Sequence, residues 1–321
     1  HWNDLALPLH SLGRLQDTVV RIAGMTRTPQ VTLGKKALVV MCADNGVVEE
    51  GVTQSGQEVT RIVAENFLQE KATAAILCKK AGADIFPVDI GIAADSKIIN
   101  RKIAYGTKNM AKEPAMTRQE VKKALEVGIA MAEELKEKGY GIIATGEMGI
   151  GNTTTSSAVT SVLLEEDPAK VTGRGAGLTS AGLEKKIEVI RKAIQLHQPE
   201  KEDVLDVLSK VGGLDIAGMA GIFIGGAALG IPVVADGFIS CVAALCAAVR
   251  DYVITSHKSK EPATVMILEA LGIPVFLDCD MCLGEGSGAV AIYPLLDMAM
   301  AVYNSMSTFA DNEMDNYVPL S

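Results

Sequence analysis

The sequence predicts an α/β fold: a parallel, Rossmann-like sheet covered by helices on both faces, with a small helical domain from the two terminal segments. Three observations carry this. Short apolar runs that end in turns alternate with helical patterns along most of the chain. Hydrophobic residues make up 48% of it and glycines number 31, yet aromatics are only 4%, a composition that suits small side chains packed closely on a sheet buried on both sides. Gly- and Asp-rich turns follow several of the apolar runs, where ligands bind in open parallel sheets.

Taken in order, Leu12–Met25 carries Leu12, Leu15, Val19, Ile22 and Ala23 on one helical stripe. Lys36–Cys42 is an apolar run ending in the turn Ala43–Gly46, and reads as the first strand. Val59–Leu77 reads as a helix through Ile62, Val63, Phe67, Ala74 and Leu77. Asp84–Asp89 is a second strand. Thr117–Lys138 opens with Thr-Arg-Gln-Glu, a capping-box signal, and places Val121, Leu125, Ile129, Ala132 and Leu135 on one face. Gly141–Thr145 is a third strand, leading through Gly146–Ser157 into a helix over Ala158–Leu164. Ser180–Leu196 is helical. Met219–Ala235 is buried helix and strand, with Pro232–Ala235 as the strand, and Pro274–Leu277 completes the series. Tyr293–Met306 is a helix with no adjoining strand. Residues 30–290 are therefore expected as a large α/β domain, and residues 1–29 with 291–321 as the small helical one. The polar tail 311–321 is expected to fray.

Composition excludes some functions. The formal net charge of −9 argues against nucleic acid or an anionic membrane as the main partner. The longest apolar run is Gly-rich and ends in Ile-Pro, so no transmembrane span is expected. The six cysteines lie in apolar segments without a secretory leader, and are expected as reduced thiols in a cytoplasmic protein. Cys279 and Cys282 form a C-x-x-C, but without a second pair or a His cluster it does not read as a zinc site.

The most informative stretch is Gly146–Ser157, GEMGIGNTTTSS. Its glycines allow a sharp turn, and Asn152, Thr153, Thr154 and Thr155 are expected to offer capping oxygens and free N–H groups at a helix start, an anion site. Glu147 places a carboxylate beside that anion, which points to a phosphorylated sugar undergoing chemistry. Thr172–Leu178 is also Gly-rich, but it follows Glu-Glu-Asp-Pro rather than a strand, so it is not a dinucleotide fingerprint. Lys185 and Lys186 read as a solvated face. Ser256–Pro262 is a basic loop, either plain surface or a phosphate clamp. In Leu283–Ala289 a carboxylate, Glu285, stands between glycines. Glu147 and Glu285, on separate sheet-end loops, make a pair suited to acid–base work at a glycosidic bond.

Seven motifs occur in order: Leu5–Leu15, Ala43–Val52, Gly146–Thr154, Thr172–Gly177, Asp236–Ser240, Ser256–Ser259 and Asp280–Gly288. Together they resemble the nicotinate-nucleotide–dimethylbenzimidazole phosphoribosyltransferase family over nearly the whole chain. The resemblance implies transfer of 5-phosphoribosyl from nicotinate mononucleotide to an aromatic base, with inversion from β to α, in a homodimer without cofactor or metal. It implies Glu285 as general base, with Glu147 and Lys186 at the phosphoribosyl end. It places Gly149, Ile150, Asn152, Thr153, Thr154, Arg174, Gly175, Gly177 and Ser259 around the nucleotide. Gln57, Leu283 and Gly284 complete the implied substrate contacts, with Gln57 toward the acceptor. Two departures bear on the acceptor: Leu7–Gly13 reads LPLHSLG where the family commonly has KPPGSLG, and Cys282 stands where the family commonly has Arg. A phenol or p-cresol acceptor is an alternative, and so is a catalytically silent subunit paired with an active paralogue.

Overall fold

A computed structural model describes residues 1–318; the end of the expected fraying tail, residues 319–321, lies outside the described residues. In chain order its helices are α1 (Arg14–Thr26), α2 (Glu58–Leu68), α3 (Thr73–Ala81), α4 (Arg118–Glu137), α5 (Asn152–Leu164), α6 (Pro168–Val171), α7 (Ser180–His197), α8 (Val204–Val211), α9 (Leu214–Leu229), α10 (Phe238–Ala247), α11 (Thr264–Leu271), α12 (Ser287–Ala291) and α13 (Tyr293–Ser305). The strands are β1 (Lys35–Ala43), β2 (Ala83–Gly91), β3 (Ile99–Asn100), β4 (Tyr140–Met148), β5 (Val233–Ala235) and β6 (Val253–Thr255). All pairings are parallel, in the order β3-β2-β1-β4-β5-β6. The chain winds outward one way from β1 and the other way from β4, so the sheet has a switch point between them, where ligands settle in doubly wound folds.

Period-2 geometry explains why β1 is apolar throughout. Ala37, Val39, Met41 and Ala43 face a core made with α4, α9 and α10, while Leu38, Val40 and Cys42 face a second core on the other side. The second core holds α1, α3 and α13, so the terminal helices share one apolar cluster with the sheet. Tyr293 of α13 donates from its hydroxyl to the Ala37 carbonyl at 2.7 Å, tying that helix to β1. Among the described residues no helix is long and apolar enough to cross a membrane, and all six cysteines are free thiols.

Four expected strands form and one does not. Pro274–Leu277 lies beside the end of β6, joined to it by a single bridge between His257 and Leu277. Phe276 and Leu277 both direct their N–H at the Ser256 carbonyl, so the segment closes a turn instead of extending a ladder. The sixth strand is instead β6, three residues long and too short to show a period. The expected helix over Val59–Leu77 is two helices, broken at residues 69–72, where Glu70 takes φ = 54°. Ile62, expected on its apolar face, is half exposed. Thr117 does form a full capping box with Glu120, as its spacing predicts.

Candidate active site

A cavity of about 310 Å³ opens beyond the carboxyl ends of β4, β5 and β6. Each strand delivers functional groups where its ladder ends. β4 ends in Glu147 and Met148 and turns through Gly149–Gly151 into α5. β5 ends at Ala235 and passes Asp236 to the cavity wall. β6 ends at Thr255 and supplies His257 and Ser259. Val52–Ser55, after β1, and the segment Cys282–Glu285 complete the rim.

Glu147 belongs to β4 itself and is buried, correcting its expected place on a loop. Burial, with Asp215, Asp236 and Glu285 nearby, pushes its carboxyl well above the usual range, toward the neutral acid. Asn152 donates its side-chain N–H to Glu147. That corrects a second expectation: the N-cap of α5 is Gly151, at φ = 95°, and no side chain caps the helix. The Asn152 N–H bonds to the Gly149 carbonyl, and those of Thr154 and Thr155 bond to the Gly151 carbonyl, which leaves the N–H of cavity-lining Thr153 for an anion.

Lys186 overturns the solvated-face expectation, which holds only for Lys185. Lys186 is 1% exposed, and its ammonium donates to Thr153 Oγ1 at 2.8 Å and to the Gly173 carbonyl at 3.2 Å. The lysine thus joins the start of α5 to the Gly173–Gly177 loop. Burial pulls its pKa down to about 8, against an opposing pull from Glu261. Glu261, which the sequence did not single out, lines the cavity; burial raises its carboxyl while Lys186 and the Gly175 N–H pull it down.

Glu285 sits in the left-handed region at φ = 63°, between Gly284 at 88° and Gly286 at 85°. For a glutamate that conformation costs about 1 kcal/mol or more, and such outliers gather at functional sites. The loop lies close over β4: a Cβ on Gly146 would meet the Glu285 carbonyl oxygen at 2.5 Å. One Glu285 oxygen accepts the N–H of Ala74, in the first turn of α3, at 3.3 Å. Its carboxyl is raised, first by burial and then by Asp236, with the Ala74 bond opposing.

Of the residues singled out in the sequence, Glu147, Lys186 and Glu285 line this one cavity, with Gly149, Ile150, Asn152, Thr153, Arg174, Gly175, Ser259, Leu283 and Gly284. Four do not line it, among them Thr155, which is buried like Thr154. Gln57 turns its amide to the Asn45 carbonyl at 3.2 Å; Thr154 is fully buried; the Gly177 carbonyl accepts from Gln54. The sequence reading did not single out Asp236, His257, Phe238 or Ser240 as site residues, although two of its quoted motifs contain them. Ser256–Pro262 is mostly wall and not open surface: Ser256, His257 and Ser259 are buried, and Lys258 pairs with Asp278 outside.

Fold and cavity together define the class: a doubly wound α/β protein with a cavity at its strand ends lined by carboxylates and a buried lysine. The chain belongs to the phosphoribosyltransferase family DBI_PRT, whose model matches residues 1–314. It is 47% identical to the nicotinate-nucleotide–dimethylbenzimidazole phosphoribosyltransferase of Acetivibrio thermocellus, over 99% of this chain and 93% of that protein. The protein of the same name from Ruminiclostridium cellulolyticum is 48% identical, over the same shares of the two chains. Among solved structures, CobT from Thermus thermophilus superposes with a TM-score of 0.92 at 36% identity, covering 98% of this chain and 96% of that one.

Proposed function

We propose that this enzyme transfers the 5-phosphoribosyl group of nicotinate mononucleotide to 5,6-dimethylbenzimidazole, releasing nicotinate and giving an α-ribotide for the nucleotide loop of a cobamide. The observation that carries the reading is the division of labour within one cavity. Lys186 and Thr153, in the first turn of α5, lie together and suit a phosphate. Glu285 lies on the separate loop over β4, suited to a proton. Glu147 bridges the two, touching Asn152 on one side and Gly284 on the other.

In the reaction, an acceptor ring nitrogen attacks C1′ from the face opposite nicotinate. The C1′–N bond to the pyridinium breaks, and its electron pair stays on the departing pyridine nitrogen. The proton from the acceptor's ring N–H passes to Glu285. Burial raises the Glu147 carboxyl, so it suits a hydrogen bond to the ribosyl group better than a second proton-accepting role. General-base assistance contributes about 10²–10⁴-fold, and anchoring the phosphate supplies positioning. Met148, Phe238, Ile239 and Leu283 give the cavity apolar wall for a flat bicyclic base. The names of the relatives favour dimethylbenzimidazole over the phenolic acceptor. The reading carries a homodimer in the cytoplasm with it, by family resemblance.

The test incubates purified protein with nicotinate mononucleotide and dimethylbenzimidazole, adenine, phenol or p-cresol, with mass detection of each ribotide. The dimethylbenzimidazole product is expected at the highest kcat/KM. A phenolic ribotide ahead of it, or no ribotide without a second subunit, would contradict the proposal.

A further inference from the structure

We propose that Asp236 is the positioning residue of the general base: its carboxyl grips the loop that carries Glu285 through the Gly286 and Ala289 N–H groups. The inference rests on the reading of Glu285 given above.

Asp236 follows β5 directly and is buried against the cavity wall. Its two oxygens are divided over the base loop. Oδ2 accepts the Gly286 N–H at 3.2 Å, one residue after Glu285, and Oδ1 accepts the Ala289 N–H at 2.9 Å. Burial raises the Asp236 carboxyl, while His257 and the main-chain N–H bonds pull it back down; with both oxygens accepting main-chain N–H it has the hydrogen-bonding pattern of the ionised form. His257 closes the far side, with Nδ1 3.8 Å from Oδ1 and 3.1 Å from Ser256 Oγ, while Ser256 Oγ donates to the Asp236 carbonyl at 3.1 Å. His257 also fills the space where a Cβ on Gly288 would stand. A buried carboxylate, an imidazole and a serine thus hold Gly286–Ala289 from below, and Glu285 with it in a left-handed conformation that costs energy to keep.

The titratable and polar groups facing Glu285 come from several elements. Glu147 faces it from β4, Asp236 from the end of β5, and the Ala74 N–H from α3; His257 stands behind Asp236, and Cys282 precedes Glu285 on its own loop. Asp236 is the carboxylate that both grips the loop and raises Glu285. Removing its charge makes Glu285 a weaker base that ionises at lower pH.

The experiment compares pH profiles of kcat/KM, with nicotinate mononucleotide and dimethylbenzimidazole, for the wild type, Asp236→Asn, Asp236→Glu and Glu285→Gln. For Asp236→Asn the acidic limb is expected to move down by about half a pH unit or more, with kcat falling at least ~10-fold and the KM for nicotinate mononucleotide within about 3-fold. Asp236→Glu keeps the charge but not the reach, so kcat falls while the limb stays. Glu285→Gln loses the limb. An unmoved limb in Asp236→Asn, with Glu285→Gln slow, would overturn the role of Asp236 and leave the Glu285 reading standing. Wild-type turnover in Glu285→Gln would instead sink that reading itself. If both Asp236 variants lose their cooperative thermal transition in circular dichroism, the residue is structural and the inference fails.

Discussion

Glu285 occupies a backbone conformation that glutamate adopts at a cost, and it spends one oxygen on the free N–H of Ala74. Both facts suit a carboxylate held in place for chemistry. Glu285→Gln is therefore expected to lower kcat at least ~10²-fold with little loss of nucleotide affinity, a separation that single-turnover and binding measurements resolve. Lys186 makes a different prediction. Its pKa is depressed to about 8, so it loses its charge as pH rises through 8. A phosphate binds the charged form, so affinity for nicotinate mononucleotide should weaken above about pH 8. Calorimetric titration should show this in the wild type and find it missing in Lys186→Met. Glu285 was legible in the sequence because a carboxylate among glycines has few structural uses. Lys186 was legible only through the family resemblance: by residue pattern it looks like Lys185, and only folding buries Lys186.

At the scale of elements, the break between α2 and α3 links local structure to the site. In one continuous helix the Ala74 N–H would bond to the carbonyl of residue 70. Ending α2 at Leu68 and restarting at Thr73 leaves that N–H free for Glu285. The apolar spacing hid the break, because Phe67 and Ala74 are both buried although they belong to different helices. Local chemistry was read more faithfully where it is self-contained. The Thr117 capping box needs only residues 117–120, and Thr117→Ala should cost about 1 kcal/mol in denaturant unfolding with no change in turnover. Leu38 of β1 does both jobs: it is fully buried, and its methyls lie where a Cβ on Gly286 would go, under the base loop. Leu38→Ala should cost about 2–5 kcal/mol and, unlike Thr117→Ala, also lower kcat.

Across the whole molecule, strand order converts distant segments into one site. Glu147, Asp236 and His257 are far apart in sequence, yet they lie at or just past the carboxyl ends of neighbouring strands β4, β5 and β6 and meet in one cavity. Alternation of strands and helices predicted the sheet, and turns after strands predicted the side on which ligands bind. The partner of each turn depends on strand order, which no local pattern encodes; that is why Asp236 and His257 stayed unassigned. At this scale the reading expects a homodimer near twice the mass of one chain in light scattering, and a single-chain mass would contradict it. The central claim is that one cavity carries attack on C1′ from the face opposite nicotinate, with Glu285 removing the proton. The anomeric configuration of the product tests it most directly. Proton NMR of the ribotide formed from nicotinate mononucleotide and dimethylbenzimidazole should show the α anomer alone; a β anomer, or an equal mixture of the two, would contradict the account.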